Sequence, residues 1–266
     1  MKNKIPLIIL WIGLLVVNNV RADNCKNYLS GKADFAEKDI CFYAGLGVAG
    51  FQSEYQEAED GVVFPLILLV SDIFYWSDEE VGLYFAGDEI GQSYWGSALT
   101  LAYVDEGFKE PEDEPQLRGL DELDATVDAG IKLNFGGSWG DVEVHVSKTM
   151  SDEHDGIRVR SGYGFSFSYS DITFTPNISF TYSDEERSNY YYGVSAADVS
   201  LSRPVYELDA TLNYSLGYDV TYMLNNHWLL FHSLGVTVLD DDISESPLVV
   251  SEDPYFLALG VFYTFD

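Results

Sequence analysis

Residues Glu122–Phe135 alternate between apolar and polar side chains, and this alternation constrains the fold more than any other feature of the sequence. The odd positions from Leu123 to Phe135 are apolar, and the even positions from Asp124 to Asn134 are polar or glycine. Because successive strand side chains point to opposite faces, the segment is predicted to be one strand with an apolar and a polar face. It exceeds the roughly five or six residues of a soluble strand. It is also long enough for a strand that crosses a bilayer obliquely, which needs roughly nine to eleven residues.

The same design recurs along the chain, so several such strands are expected. It is clearest in Ile157–Ser170, Ile172–Ser183 and Glu207–Leu224. Less regular apolar segments predict further strands at Cys41–Phe51, Val62–Ser71, Asp72–Trp76, Val81–Ala86, Tyr94–Val104, Trp139–Met150, Tyr190–Val194, Trp228–Leu239 and Tyr255–Phe265. The boundaries between residues 62 and 94 stay open, and Pro65 restricts its strand to an edge, a bulge or a strand start. We expect about twelve strands, with ten as the alternative.

The connections alternate between short turns and long acidic loops. Short turns are predicted at 136–138, 170–171 and 225–226, and charged loops at 105–115 and 240–253. Aromatic residues fall near the strand ends, including Trp76, Trp95, Trp139 and Trp228. This combination is typical of outer-membrane barrels. It favours a closed antiparallel up-and-down transmembrane β-barrel over residues 41–266 against the alternative of a soluble secreted β-sandwich.

The N-terminus carries the features of an export signal. Lys2 and Lys4 precede an apolar run from Ile5 to Val17, and small residues follow at Val20 and Ala22. Residues 1–22 are therefore predicted to be a cleaved signal peptide and residues 23–40 a periplasmic segment. The two cysteines, Cys25 and Cys41, are candidates for a disulfide in that oxidising compartment.

The net charge of -30 excludes a nucleic-acid partner, since a surface that binds phosphates must be basic. The expected surroundings are instead outer-membrane lipid and lipopolysaccharide. The acidic loops are most simply solvated surfaces, and binding of bridging divalent cations is left open.

The polar strand faces are predicted to line the barrel interior, because a barrel of this size is too wide to be filled by apolar packing. The candidate lining residues are Asp124, Asp128, Lys132, Glu143, His145, Arg158, Arg160, Asp209 and Asp219. They either pair across the lumen and hold water, or form the lining of a solute channel with cation preference. His145 and Ser147 share one face, but no motif fixes a catalytic triad, so neither an enzyme nor a cofactor is expected.

Three segments share their order and spacing with a known family. They are Leu117-Arg118-Gly119-Leu120, Tyr191-Tyr192-Gly193-Val194-Ser195 with Pro204 and Tyr206, and Ser246-Pro247-Leu248-Val249. With them the mature chain resembles the MipA/OmpV family of outer-membrane proteins. The resemblance implies a scaffold that brings together a lytic transglycosylase and a penicillin-binding protein, and it brings no catalytic residues. The last strand also resembles the assembly signal of such barrels, with Gly260, Tyr263 and Phe265, although Asp266 follows the terminal phenylalanine.

Overall fold

A computed structural model describes residues 41–56, 60–71, 73–77, 79–108 and 111–265. Thirteen strands form one sheet. They are β1 (Cys41–Gln52), β2 (Asp60–Val70), β3 (Phe74–Trp76), β4 (Glu80–Ile90), β5 (Ser93–Val104), β6 (Thr126–Gly137), β7 (Gly140–Thr149), β8 (Ile157–Gly164), β9 (Phe167–Tyr169), β10 (Ile172–Ser183), β11 (Thr211–Met223), β12 (Trp228–Val238) and β13 (Tyr255–Phe265). Two helices lie in the loops, α1 (Glu185–Tyr192) and α2 (Asp241–Ser244).

The sheet closes on itself as an antiparallel barrel. Apart from β8 and β9, each strand pairs with its neighbour in sequence. β13 pairs with β1, and β10 pairs with β8, β9 and β11. Because β8 and β9 are two pieces of one interrupted strand beside β10, the wall has twelve strand positions, as the sequence predicted. The ring of strand pairings therefore runs from β1 around to β13, and this closure satisfies most of the backbone polar groups that a lipid environment would leave unpaired.

The alternation that predicted β6 is present in the structure. Val127, Ile131 and Phe135 are exposed on the outside, while Thr126, Asp128 and Asn134 are buried inside. Large apolar side chains are likewise exposed on the outer faces of β1, β4, β5, β10, β11 and β13. An apolar outer surface on a closed barrel is stable only against lipid, because a soluble protein would bury it.

The two ends of the barrel differ. Short turns join β4 to β5, β6 to β7, β9 to β10 and β11 to β12, and the chain termini of the wall lie at this same end. Exposed aromatic side chains mark both ends. They are Trp139, Tyr169 and Trp228 at the short-turn end, and Tyr103, Tyr182 and Tyr214 at the long-loop end. Since outer-membrane barrels have short periplasmic turns and longer external loops, the short-turn end faces the periplasm.

Strand pairing in the barrel wall is least complete at β3, which has only three residues. It pairs with β2 through Leu69 and Val70 and with β4 through three residues. Within the described residues, no strand lies beside the upper part of β2, Gly61–Leu66, on the side away from β1. Pro65 is tolerated there because no strand on that side needs a hydrogen bond from the N–H that proline lacks.

Pro176 explains the interruption between β8 and β9. Gly164 pairs with Asn177 and Phe167 with Phe174, so the break lies opposite Pro176. The Phe165 N–H donates to the Pro176 carbonyl, but proline has no N–H to return the bond. The predicted strand Ile157–Ser170 is therefore two shorter strands.

The inner wall is not uniformly polar, which corrects the expectation that polar faces line the whole interior. The inward side chains of β5–β8 include Thr100, Asp128, His145 and Arg158. The opposite sector is apolar and contains Tyr43, Leu66, Leu68, Leu229, Phe231 and Phe262. In that sector Gly47 and Gly260 leave room for the rings of Phe64 and Phe231.

The structure also corrects the predicted strand at Tyr190–Val194, because α1 occupies most of it. Asp184 caps this helix by accepting the Arg187 N–H, and Glu185 and Glu186 occupy the first turn. These are the usual signals of a helix N-terminus. The predicted acidic loop 240–253 likewise contains α2, which Asp240 caps.

The signal peptide, the segment 23–40 and Cys25 lie outside the described residues and stay predictions. Cys41 is buried at the start of β1. Among the described helices, neither is long and apolar enough to span a membrane.

Candidate functional site

Four long loops pack together at the external end of the barrel and form what we call the cap. The cap comprises residues 53–56, 105–108 with 111–125, 184–210 and 239–254. Its main apolar cluster joins Tyr55, Phe108, Leu117, Val194 and Leu248, one or two from each loop. A second cluster of Leu208, Leu239 and Ile243 shares Tyr192 and Tyr206 with the first. The loops are therefore one packed layer and not separate solvated segments.

The three segments that carry the family resemblance meet in this cap. Leu117, Val194 and Leu248 come from different segments and are all almost fully buried in one cluster. Ser246 Oγ donates to the Tyr192 carbonyl over 2.7 Å, and Val194 forms an isolated bridge with Tyr206. Gly119 has φ +80°, which favours glycine. Residues of all three segments thus take part in the packing of the loops.

The remaining residues of these segments terminate or brace the loops. At the C-terminus of α1, the Gly193 N–H donates to the Asn189 carbonyl. Ser195 Oγ donates to Asp198. Arg118 is exposed, Leu120 packs at the edge of the cluster, and Pro247 is half-buried. Arg203 joins two loops by donating to the Asp198 and Gln116 carbonyls.

A buried ion network lies under the cap and joins it to the barrel wall. Arg187 of α1 contacts Asp128 Oδ2 of β6 over 3.1 Å and Glu106 Oε2 of the β5–β6 loop over 2.9 Å. Arg158 of β8 pairs with the same two carboxylates. Thr149 Oγ1 donates to Asp128 Oδ1 over 2.8 Å. Asp128, Arg158 and Arg187 are buried and Glu106 is half-buried. The charges of the two guanidinium groups and the two carboxylates balance, so the network can remain ionised.

Charge pairing controls titration in this network. Burial alone would raise the pKa of Glu106, but the cations Arg158, Arg187 and Arg160 lower it to about 2. Burial would lower the pKa of Arg187, but Glu106, Tyr191 and Asp128 raise it above its usual value. Both groups therefore stay ionised across the physiological pH range.

Glu54 is a half-buried carboxyl in the cap, and no ion pair is found for it among the described residues. Burial raises its pKa, although a hydrogen bond from Tyr192 Oη at 2.9 Å opposes the shift. The pKa of His154, in the β7–β8 loop, is lowered by burial and by the Arg187 charge.

The contacts of His145 make it unsuited to act as a general base. Its Nδ1 lies 3.1 Å from Arg160 Nη2, and its Nε2 lies 2.8 Å from Thr100 Oγ1. Because a guanidinium can only donate, Nδ1 must accept, and Nε2 then carries the proton that faces Thr100. Ser147 instead donates to Asp128 over 3.4 Å. The arrangement cannot take a proton from either hydroxyl.

The structure brings most of the predicted lining residues onto the inner wall. Asp128, Lys132, Glu143, His145, Arg158 and Arg160 face inward from three adjacent strands. Asp219 faces inward on β11, where Asn177 Nδ2 donates to it over 2.9 Å. Asp124 and Asp209 are not on the wall, because β6 and β11 begin at Thr126 and Thr211 and both aspartates are exposed in loops.

The residues of the predicted assembly signal lie on different faces of β13. Gly260 faces inward beneath Phe231. Tyr263 and Phe265 face outward, where Tyr263 packs against Trp228 and Phe265 at ring-centre distances of 4.9 and 4.8 Å.

Sequence reasoning missed Glu106, Arg187 and Thr100. Glu106 and Arg187 are 81 residues apart and lie in a loop and a helix, so no local pattern links them. Thr100 faces inward on β5, and the alternation of that strand is the signal that could have found it. In the described part of the chain, no group of three or more His, Cys, Asp or Glu residues could hold a metal ion.

A family model described as MltA-interacting protein MipA matches residues 44–265. The MltA-interacting protein of Escherichia coli is 24% identical over 244 residues, which cover 89% of this chain and 95% of that protein. Outer membrane protein OmpV of Vibrio cholerae is 26% identical over 149 residues, or 56% of this chain. Outer membrane protein Omp26La of Vibrio anguillarum is 25% identical over the same length, and the match spans only 58% of either Vibrio protein.

Among solved structures, the β domain of the Bordetella autotransporter BrkA overlaps with a TM-score of 0.44 at 13% identity, covering 85% of this chain and 100% of that one. A deletion mutant of the TodX monoaromatic hydrocarbon channel overlaps with a TM-score of 0.43 at 10% identity, covering 86% and 91%. These overlaps are too low for any conclusion about function.

Proposed function

Because the chain belongs to the MipA family of outer-membrane proteins, we propose that it is a non-enzymatic barrel that anchors or scaffolds peptidoglycan-remodelling enzymes. The observation that carries the proposal is the match, over most of both chains, to a relative whose name states an interaction with MltA. The expected partners are a lytic transglycosylase and, with it, a penicillin-binding protein.

The geometry supports docking at the periplasmic end. The external end is covered by the cap, whereas the other end carries short turns at 91–92, 138–139, 170–171 and 224–227 and the start of β1. An enzyme that works on the cell wall meets this end first. The docking surface then consists of these turns.

Site-specific photo-crosslinking in intact cells tests the proposal. A crosslinking residue is placed at Gln92, Ser138 or Asn226 of the periplasmic turns, and at Leu201 of the cap as a matched external control. We expect a lytic transglycosylase to be captured from the turns and not from Leu201. Failure of all three turn positions to enrich a wall enzyme contradicts the scaffold role.

A small-solute channel with cation preference is the second candidate, and the charged sector of the inner wall favours it. Against it, the charges of this sector pair with one another. Lys132 pairs with Glu80, and Arg158 and Arg187 pair with Asp128 and Glu106. Conductance of the purified protein in planar bilayers separates the two roles. If the protein produces no conductance in the bilayer, the channel role is excluded. Stable, cation-selective conductance steps would make the channel and not the scaffold its primary role.

A further inference from the structure

A pocket of about 40 Å³ lies inside the barrel against the part of the wall that β3 closes. Its lining includes Leu68 of β2, Tyr75 of β3, Tyr84 of β4, Lys132 and Asn134 of β6, and Glu143 of β7. One water needs roughly 10–15 Å³ of such space, so the pocket holds a small polar group and not a drug-sized ligand.

Two hydrogen-bond acceptors in this pocket have no donor among the described residues. Asn134 is 3% exposed, and its buried Oδ1 has no hydrogen-bond partner. Glu143, directly opposite Asn134 in the β6–β7 register, forms only a 3.9 Å ion pair with Lys132. Because directly opposed side chains have Cβ atoms about 5 Å apart, one donor group can reach both acceptors.

Lys132 does not supply the missing donor. Its ammonium lies 2.5 Å from Glu80 Oε1, and Tyr75 Oη donates to the same carboxylate oxygen. The 3.9 Å separation from Glu143 exceeds the length of a hydrogen bond. On the next strand, Arg160 donates to His145. A buried acceptor left without a donor costs free energy, so the pocket favours a ligand that brings N–H groups.

We propose that this pocket is a binding site for a primary ammonium group, held between Asn134 Oδ1 and the Glu143 carboxylate. An ammonium presents three N–H donors from one centre, which matches two facing acceptors and leaves one donor for a water. Its charge strengthens the bond to Glu143. An anion would instead be repelled by the Glu143 carboxylate. The site does not depend on the scaffold role, and either can fail alone.

Calorimetric titration of the full chain folded in detergent micelles tests this site with n-propylammonium as the probe. Tetramethylammonium is the matched control ligand, because it carries the same charge without any N–H donor. We expect propylammonium to bind with 1:1 stoichiometry and tetramethylammonium to bind at least about tenfold more weakly, since charge-assisted hydrogen bonds supply the difference.

Variants at the pocket and at a distant inner-wall site locate the binding. Glu143→Gln and Asn134→Leu are each expected to weaken propylammonium binding about tenfold or more, and Asp219→Asn is expected to leave it unchanged. Retained heat-modifiable mobility on gels shows that each variant is folded. Absence of propylammonium binding, equal binding of tetramethylammonium, or unchanged binding by folded Glu143→Gln overturns the site.

Discussion

At the scale of single residues, the ion network around Asp128 and Arg187 joins the cap to the wall. Alternation along β6 and β8 predicts that Asp128 and Arg158 face inward, because both lie on regular strands. It cannot predict their partners Glu106 and Arg187, which reach the network from a loop and a helix. The same reasoning failed for Asp124 and Asp209, since polar alternation continues beyond the ends of β6 and β11 into the loops.

Removing Arg187 is expected to destabilise the protein strongly. The Arg187→Ala variant leaves Asp128 and Glu106 with one cation fewer in a buried site, which typically costs about 3–5 kcal/mol. Urea unfolding in lipid vesicles measures the loss. Arg118→Ala is the matched control, because Arg118 is an exposed arginine of the same cap and should change stability by less than about 0.5 kcal/mol. Equal stability of the two variants would contradict the role of the network.

Glu106 is expected to make the stability of the fold depend on pH in the acidic range. Its pKa is lowered in the folded state from 4.5 to about 2, so its contribution is complete above pH 4.5 and is lost as the pH falls towards 2. A Glu106→Gln variant should be less stable than the parent at pH 7 and should lose less stability between pH 4.5 and 2. Unfolding midpoints across this range test it, with the exposed Glu207→Gln as control. Parallel pH profiles of parent and Glu106→Gln would show that Glu106 is not ionised in the network.

At the scale of elements, the long strands are the best predicted part of the molecule. The bounds of β10 and β13 agree with the prediction, and the core of β6 does also. The bounds of β3 could not be predicted, because three residues are too few to show a period.

The apolar inner sector was not predicted for a related reason. In β2 both faces are apolar, so the composition of Leu66–Leu69 does not say which side faces the interior. The cap helix α1 was not predicted, although the N-cap residue Asp184 and the acidic first turn at Glu185 and Glu186 are signals of a helix N-terminus.

The cap is expected to be a packed element, which a pair of leucine substitutions tests. Leu117 is fully buried between loops, so Leu117→Ala should cost about 2–5 kcal/mol through lost contacts and a cavity. Leu201, which is fully exposed in the same cap, should tolerate Leu201→Ala within about 0.5 kcal/mol. Limited external proteolysis should then cut the loops faster only in Leu117→Ala. Equal cutting in both variants would mean that the loops move independently.

The wall beside β3 is expected to be its least protected part. Hydrogen exchange should be faster for amides of Gly61–Leu66 than for the doubly paired Val127–Asn134 of β6, because only one side of β2 has a strand partner among the described residues. Mass spectrometry of the protein in lipid nanodiscs resolves the two segments. Equal protection would indicate that another chain or segment pairs with β2.

At the scale of the whole molecule, closure, the apolar outer belt and the cap together describe a transmembrane barrel whose external end carries a packed layer of loops. The sequence indicated the barrel because alternation recurs over most of the chain. The joining of four loops into one cap has no periodic signal, so the sequence pattern did not predict it. The central claim is that one face of each strand meets lipid while the other encloses the interior.

Spin-label accessibility along β6 tests this claim most directly. Labels are placed singly at residues 127–135 of a chain whose two cysteines are replaced by serine, and the protein is reconstituted in vesicles. The account predicts alternation, with high oxygen accessibility at Val127, Ile131 and Phe135 and low oxygen accessibility at Asp128, Lys132 and Asn134. Uniform accessibility along the strand, or high oxygen accessibility at the inward positions, would contradict it.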